Sequence, residues 1–253
     1  MESAVSIYNE YVRQWKDSGG QVIGTVCCHI PEEIIHAAGL LPVRIRATGC
    51  KNDCDGELWM SSFSCGFSRG CLQQMLDGNY DFMDGMIASD GCMMMQRVYD
   101  NWKVIGKEKT KYFQNINVPR LNNGLGVDYY AADLALMRDG LEEFTGRAIT
   151  DDALNASIDL YNETRALIRS LYALRKDKSV AVTGAECLQW TLAAMSMPKE
   201  RFNEQLRVFL DEVKHRAPIT NCRARLMLIG SSLDDPEFLR IFHLLTKITV
   251  CFI

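Results

Sequence analysis

The sequence has no block of like charges, no repeat or low-complexity tract, and no apolar run near the ~18 residues that span a bilayer. Its 28 basic and 32 acidic residues are interspersed and leave a net charge of −4. That pattern excludes the electrostatic footprint of a nucleic-acid-binding face and of a polybasic membrane patch. Neither nucleic acid nor membrane is expected as a partner, and small-molecule chemistry is favoured. Neither G-x-x-x-x-G-K-[S/T] nor G-x-G-x-x-G occurs, so nucleotide binding by those loops has no support. The first twenty residues, MESAVSIYNEYVRQWKDSGG, read as an amphipathic helix closed by Gly19 and Gly20. They carry no basic and apolar regions of a secretion signal, which predicts a cytoplasmic location.

At 253 residues and 47% hydrophobic, the chain is long enough to bury about three quarters of its unfolded surface. Between residues 21 and 118 short apolar runs alternate with helical patterns. The runs are QVIGTV, LPVRIR, DGMIAS and KYFQNINV, and the helices fall near 31–38, 66–77 and 92–105. That rhythm predicts an α/β fold with a parallel, Rossmann-like sheet over residues 1–120. Residues 121–220 read as a helical region, with Leu154, Ile158, Tyr161, Ile168 and Leu171 at helical spacing and Asp151 and Asp152 in a first turn. Residues 221–253 read as the start of a second α/β unit: a strand at ARLMLIG, a helix opened by Asp234, Asp235 and Pro236, and a last run ITVCFI.

Ten cysteines without a secretion signal argue for metal binding or catalysis rather than disulfides, because a reducing compartment keeps thiols reduced. For any one of them, burial as a small hydrophobe is the simplest reading. In GTVCCHIPEEII, Pro31, Glu32 and Glu33 suit the opening of a helix, and Ile30 offers no capping side chain. First-turn N–H groups are then left for a nearby anion, which makes Cys27 or Cys28 a candidate ligand or nucleophile. Cys92 repeats the arrangement between DGMIAS and a helix, and strand ends in an open α/β sheet share one edge. Cys65 lies on another linker, among Ser and Gly. Cys71 and Cys187 read as core, as do Cys222 and Cys251. Cys50 and Cys54, in CKNDC, have zinc-knuckle spacing without a second pair and read as a surface loop. Three thiolates from separate loops suit an iron–sulfur cubane better than a structural zinc. His29 reads as solvent-facing, His36 as a partly buried helix residue, Arg44 and Arg46 as a solvated face, and Met93 to Met95 as core.

The stretch from Gly24 to Ile45, with Cys27 four before Pro31, resembles the cluster-bearing subunits of 2-hydroxyacyl-CoA dehydratases and benzoyl-CoA reductases, a superfamily that includes double-cubane cluster proteins. DGNYDFMDGMIASDGCMMMQRVYDNWK resembles its second hallmark, with Cys92-Met93 where the family has Cys-Asp. EEFTGRAITDDALNASIDLYNETRALIRSLY and RLMLIGSSLDDPEFL follow in the family's order. The resemblance implies a [4Fe-4S] cluster held by Cys27, Cys65 and Cys92. It also implies a low-potential electron passed to an acyl-CoA, a homologous sibling subunit or second copy, and an ATP-dependent iron–sulfur activator. Electron transfer of the double-cubane type, or a non-catalytic metal-binding remnant, is the alternative. The family continues past position 253 with a second α/β domain, so the resemblance implies a truncated member, and FHLLTKITVCFI departs from the family's pattern.

Overall fold

The computed structural model describes residues 2–176, 181–219, 224–228, 232–246 and 248–252. In chain order the elements are α1 (Glu2–Val5), α2 (Glu10–Asp17), β1 (Val22–Thr25), α3 (Glu32–Ala37), β2 (Leu41–Arg44), α4 (Cys54–Trp59), α5 (Gly66–Leu76), β3 (Gly85–Ser89), α6 (Met93–Ile105), β4 (Tyr112–Ile116), α7 (Gly124–Thr145), α8 (Asp151–Ala173), α9 (Gly184–Ala194), α10 (Lys199–Val213), β5 (Ala224–Leu228), α11 (Pro236–Thr246) and β6 (Ile248–Phe252). The chain is therefore mixed α/β, as predicted, and all four strands expected before residue 120 are present. It divides into two units, Val12–Ile158 and Met1–Tyr11 with Asp159–Ile253.

The first unit is built on a parallel sheet in the order β2-β1-β3-β4. β1 feeds β2 on one side through α3, while β3 feeds β4 on the other through α6. The strand order therefore switches direction between β1 and β3. Right-handed crossovers carry α3 to one face and the helices that lead into and out of β3 to the other, so the sheet is covered on both sides as parallel sheets require. Ile23 and Ile87 pack on one face with Ile34 and Ile35 of α3 and Met137 and Leu141 of α7. α5 and α6 pack on each other, and α6 packs on β3. Asp84 ties α2 to the sheet edge, accepting from Val22 N at 2.7 Å and from Lys16 Nζ at 2.7 Å.

The second unit holds α9 and α10 around Trp190, whose ring meets Phe202 and Phe209 at centroid distances of 5.8 and 5.0 Å. α9 is opened by a capping box, in which Thr183 Oγ1 accepts from Glu186 N while Glu186 Oε2 accepts from Thr183 N. α11 packs on α9 and on β6, and β5 and β6 pair in parallel.

Four local readings are corrected. The N-terminal helix is two helices, because the Asn9 side chain donates to the carbonyls of Ala4 and Ser6 and to Ser196 Oγ, and so takes the intervening residues out of the helical ladder. CKNDC is only partly loop, since Cys54 opens α4. That helix lies so close to α5 that a Cβ on Gly56 would sit 2.7 Å from Arg69 O. Arg46 is not a solvated residue: it is 2% exposed beneath Tyr80, whose hydroxyl accepts from Arg46 N at 2.7 Å and donates to its carbonyl. Arg44 is engaged as well, donating to Thr25 Oγ1 and Glu32 Oε1. Cys71 and Cys187 are fully buried core residues, as read. Cys222 lies outside the described residues.

β1 passes so close to the elements above it that Gly24 has no room for a side chain: an added Cβ would lie 2.2 Å from Met83 Sδ and 3.0 Å from Ile45 Cδ1. Gly24→Ala is expected to cost about 1–3 kcal/mol through overpacking, with Met83 giving way. Urea denaturation showing a change below a few tenths of a kcal/mol would contradict this packing.

Candidate metal centre

The carboxyl ends of β1 and β3 carry the cysteines that the sequence singled out. Thr25 pairs with Ile87 across the two strands, and Val26 N donates to Ile87 O at 3.1 Å beyond the ladder. The chain leaves β1 as Val26-Cys27-Cys28-His29 and leaves β3 as Asp90-Gly91-Cys92, so the two loops run side by side. Their contact is tight, because a Cβ on Gly91 would fall 2.7 Å from His29 Nδ1 and 3.5 Å from Cys27 Sγ. Cys27 is thus brought beside the residue that precedes Cys92.

Cys27 has φ +76°, and among the described residues it is the one non-glycine in the left-handed region. Such a conformation costs about 1–2 kcal/mol for an L-residue and persists only where its surroundings impose it. Here it turns the chain so that consecutive side chains gather instead of alternating. Cys27 Sγ lies 3.2 Å and Cys28 Sγ 3.9 Å from His29 Nδ1. Tyr130, on α7, donates its hydroxyl to His29 O at 2.5 Å and fixes the turn from outside. Asp90 holds the opposing loop by accepting from Val118 N at 2.7 Å. Pro31 stands at the N-cap position of α3 with no side-chain cap, one residue before the first helical position predicted for it.

The Cys27 sulfur is tuned by its neighbours. Burial raises its pKa, but the polarity of the nearby Ser89 hydroxyl, the His29 ring and the backbone N–H groups of His29 and Cys28 outweighs burial and lowers it to about 7. Burial, then the charge of Cys27 alongside, pushes Cys28 above the ordinary thiol range. Ser89, the last residue of β3, is fully buried, and its Oγ has no hydrogen-bonding partner among the described residues. Neither Ser89 nor Gly91 stands out in the sequence, because each acquires its role only when β3 lies against β1.

Cys65 and Cys92 occupy equivalent places, each the N-cap of a helix, α5 and α6, without a side-chain capping bond. First-turn N–H groups of both helices are therefore open to an anionic sulfur. Cys65 is exposed and donates to Ser68 Oγ at 3.3 Å; Cys92 is partly exposed. A cleft of about 580 Å³ runs between the segment that ends at Ser64 and the start of α6, lined by Trp59, Met60, Met93, Met94 and Arg97 among others. Residues next to Cys65 and next to Cys92 thus border one cleft. Met93, read as core, is 73% exposed at its rim. Among the described residues, the one set of three ligand atoms within 4.8 Å of one another is Cys27, Cys28 and His29. Cys27, Cys65 and Cys92 do not form such a set. Cys50 donates to Asn52 O and joins no such set.

An open parallel sheet with thiols gathered at its switch point defines an α/β domain of the doubly wound kind with a candidate metal site. Residues 27–252 match the 2-hydroxyglutaryl-CoA dehydratase, D-component family, and the chain belongs to it. The match reaches residue 252, so the closing run that departs from the expected pattern lies within it. The chain is 33% identical to a benzoyl-CoA reductase subunit of Thauera aromatica over 228 residues, covering 88% of this chain and 58% of that protein. It is 27% identical to the (R)-2-hydroxyglutaryl-CoA dehydratase beta subunit of Acidaminococcus fermentans over 193 residues, covering 76% and 51%. It is 23% identical to the (R)-phenyllactyl-CoA dehydratase beta subunit of Clostridium sporogenes over 233 residues, covering 92% and 62%. The chain thus spans between about half and three fifths of the length of these curated relatives. Among the described residues no helix is long and apolar enough to cross a membrane.

With its pKa near 7, Cys27 is expected to alkylate with iodoacetamide along a titration curve centred near pH 7, its thiolate accumulating as pH rises through that value. Ser89→Ala removes one stabilising donor and should move the curve to higher pH. Peptide mapping by mass spectrometry separates Cys27 from Cys28; a curve for Cys27 centred above pH 8.5, or one unmoved by Ser89→Ala, would refute the assignment.

Proposed function

We propose that this chain is the iron–sulfur part of a 2-hydroxyacyl-CoA dehydratase or benzoyl-CoA reductase-like enzyme, working in a reducing cytoplasm, with Cys27, Cys65 and Cys92 holding a [4Fe-4S] cluster. The observation that carries this reading is the meeting of the Cys27 and Cys92 loops at the sheet's switch point, with a buried Ser89 hydroxyl nearby that has no hydrogen-bonding partner among the described residues. The donor set fits such a group: three accessible thiols on three separate loops, none joined to another cysteine. When bound, a cluster of this kind supplies one-electron chemistry at low potential, directed in this family's reactions at a CoA thioester.

The chain's own residues set the conditions for that chemistry. The buried Ser89 hydroxyl, without a partner among the described residues, would donate to the Cys27 sulfur once a cluster is bound, and the uncapped first turns of α5 and α6 stabilise negative charge at Cys65 and Cys92. The left-handed turn at Cys27 aims its sulfur toward the β3–α6 loop instead of into the core. The cleft beside Cys92 offers Trp59, Met60, Met93 and Met94 to an apolar group, with Arg97 at hand for an acidic one. The curated relatives are named as subunits, which supports a homologous sibling subunit or second copy as partner and an acyl-CoA as the assembly's substrate.

Anaerobic reconstitution is expected to give a brown protein with about four irons per chain, as thiolate-held cubanes contain. Cys27→Ser and Cys92→Ser should each lose most of the iron, acid-labile sulfide and visible absorption. Variants that keep the full complement would exclude these residues as ligands.

Neither G-x-x-x-x-G-K-[S/T] nor G-x-G-x-x-G occurs in the sequence, and the family resemblance implies a separate ATP-hydrolysing iron–sulfur activator as the source of the electron. In the complete assembly, turnover of 2-hydroxyacyl-CoA or aromatic-CoA thioesters should require that activator and ATP. Turnover driven by a mild reductant alone would count against the proposed electron source.

A further inference from the structure

The Cys27-Cys28-His29 turn has a second capability that a cluster at Cys27, Cys65 and Cys92 does not use. Cys28 and His29 are exposed, belong to no set proposed above, and lie with Cys27 in the single compact group of ligand atoms among the described residues. Zn–S bonds of about 2.3 Å and Zn–N bonds of about 2.0 Å at a tetrahedral angle place sulfur and nitrogen about 3.5 Å apart. The two sulfur-to-Nδ1 separations, 3.2 Å for Cys27 and 3.9 Å for Cys28, bracket that value. All three donor atoms lie within 4.8 Å of one another, close enough for small side-chain rotations to bring them onto one ion.

We propose that Cys27, Cys28 and His29 form a mononuclear site for a thiophilic divalent ion of the zinc class, with its fourth position open to water. Two thiolates and an imidazole select zinc over magnesium or calcium, which take oxygen ligands. His29 binds through Nδ1. Ser89 would supply the outer partner: its buried hydroxyl, which has no hydrogen-bonding partner among the described residues, is free to turn to the Cys27 thiolate once an ion is bound. Tyr130 holds the backbone in place by donating to His29 O. The site shares Cys27 with the cluster read above, so the ion and the cluster exclude one another at that sulfur, but zinc binding does not itself require the cluster.

The test uses the whole chain, stripped of metal with a chelator under reducing, anaerobic conditions and titrated with Zn²⁺ against a chromophoric competitor. One zinc per chain is expected, retained by Cys65→Ser and Cys92→Ser. Cys28→Ser and His29→Ala should each weaken binding at least tenfold, and Ser89→Ala about tenfold, as loss of an outer-shell partner does. Cys28 and His29 are exposed, so unchanged thermal melting of their variants confirms that lost binding is lost ligation. No zinc at one per chain, or zinc that survives both Cys28→Ser and His29→Ala, overturns the proposal. So does zinc that falls equally in Cys65→Ser. Iron and sulfide uptake by the same variants separates the two readings: Cys28→Ser and His29→Ala should still assemble the cluster. Zinc uptake by a chain that takes no iron and sulfide would leave this site standing and remove the cluster.

Discussion

Everything at the candidate centre depends on β1 and β3 lying next to each other in parallel, with Ile23, Gly24 and Thr25 opposite Gly85, Met86 and Ile87. Parallel strands cannot be joined by a tight turn, so each must leave the sheet through a crossover at its carboxyl end. Because β1 departs toward β2 and β3 toward β4, the two exits separate and leave a crevice between them. The close approach has a steric condition. A side chain on Gly85 would strike Ile23 Cδ1 at 2.6 Å and Tyr112 Cβ at 2.9 Å, and one on Gly24 would strike Met83. Both glycines keep the strands and their covering side chains at the distance that brings the loops together.

Within that crevice the electrostatic character comes from a few groups acting on one sulfur. Burial works against the Cys27 thiolate, and the polar groups around it, Ser89, His29 and two backbone amides, reverse the balance. The same charge makes Cys28 harder to ionise. A cationic or electron-deficient centre placed among these atoms would relieve both effects, since it stabilises each thiolate and screens one from the other. The crevice is therefore a place where metal coordination and thiolate formation reinforce each other. Gly91 lies against His29 and Cys27 because no side chain stands in the way.

Two compositions of site emerge from the same turn. One draws single sulfurs from three loops, β1–α3, the linker before α5, and β3–α6, and requires the sheet and the α5–α6 pair to be formed. The other draws all its atoms from three consecutive residues and requires only the left-handed turn with its supports from Ser89 and Tyr130. Cys27 belongs to both proposed sets, so both proposals depend on the conformation of that one residue.

Sequence alone determined the α/β class, the four strands of the first unit, most of its helices and the placing of Cys27 and Cys92 at strand-to-helix junctions. These follow from local signals: apolar runs of strand length, Pro31 and Glu32 opening a helix, and Asp90-Gly91 closing a strand. It missed α4, a six-residue helix with Gly56 inside, because that helix is held by contact with α5 and not by propensity. It missed the break before Asn9, made by hydrogen bonds that include Ser196 far along the chain, and the burial of Arg46 beneath Tyr80. Tertiary structure alone decided that Ser89 is buried without a partner among the described residues, that Gly91 lies against His29, and that Cys27, Cys28 and His29 converge. Those are distances between segments about sixty residues apart, or consequences of one positive φ imposed by such neighbours, and no local pattern encodes them.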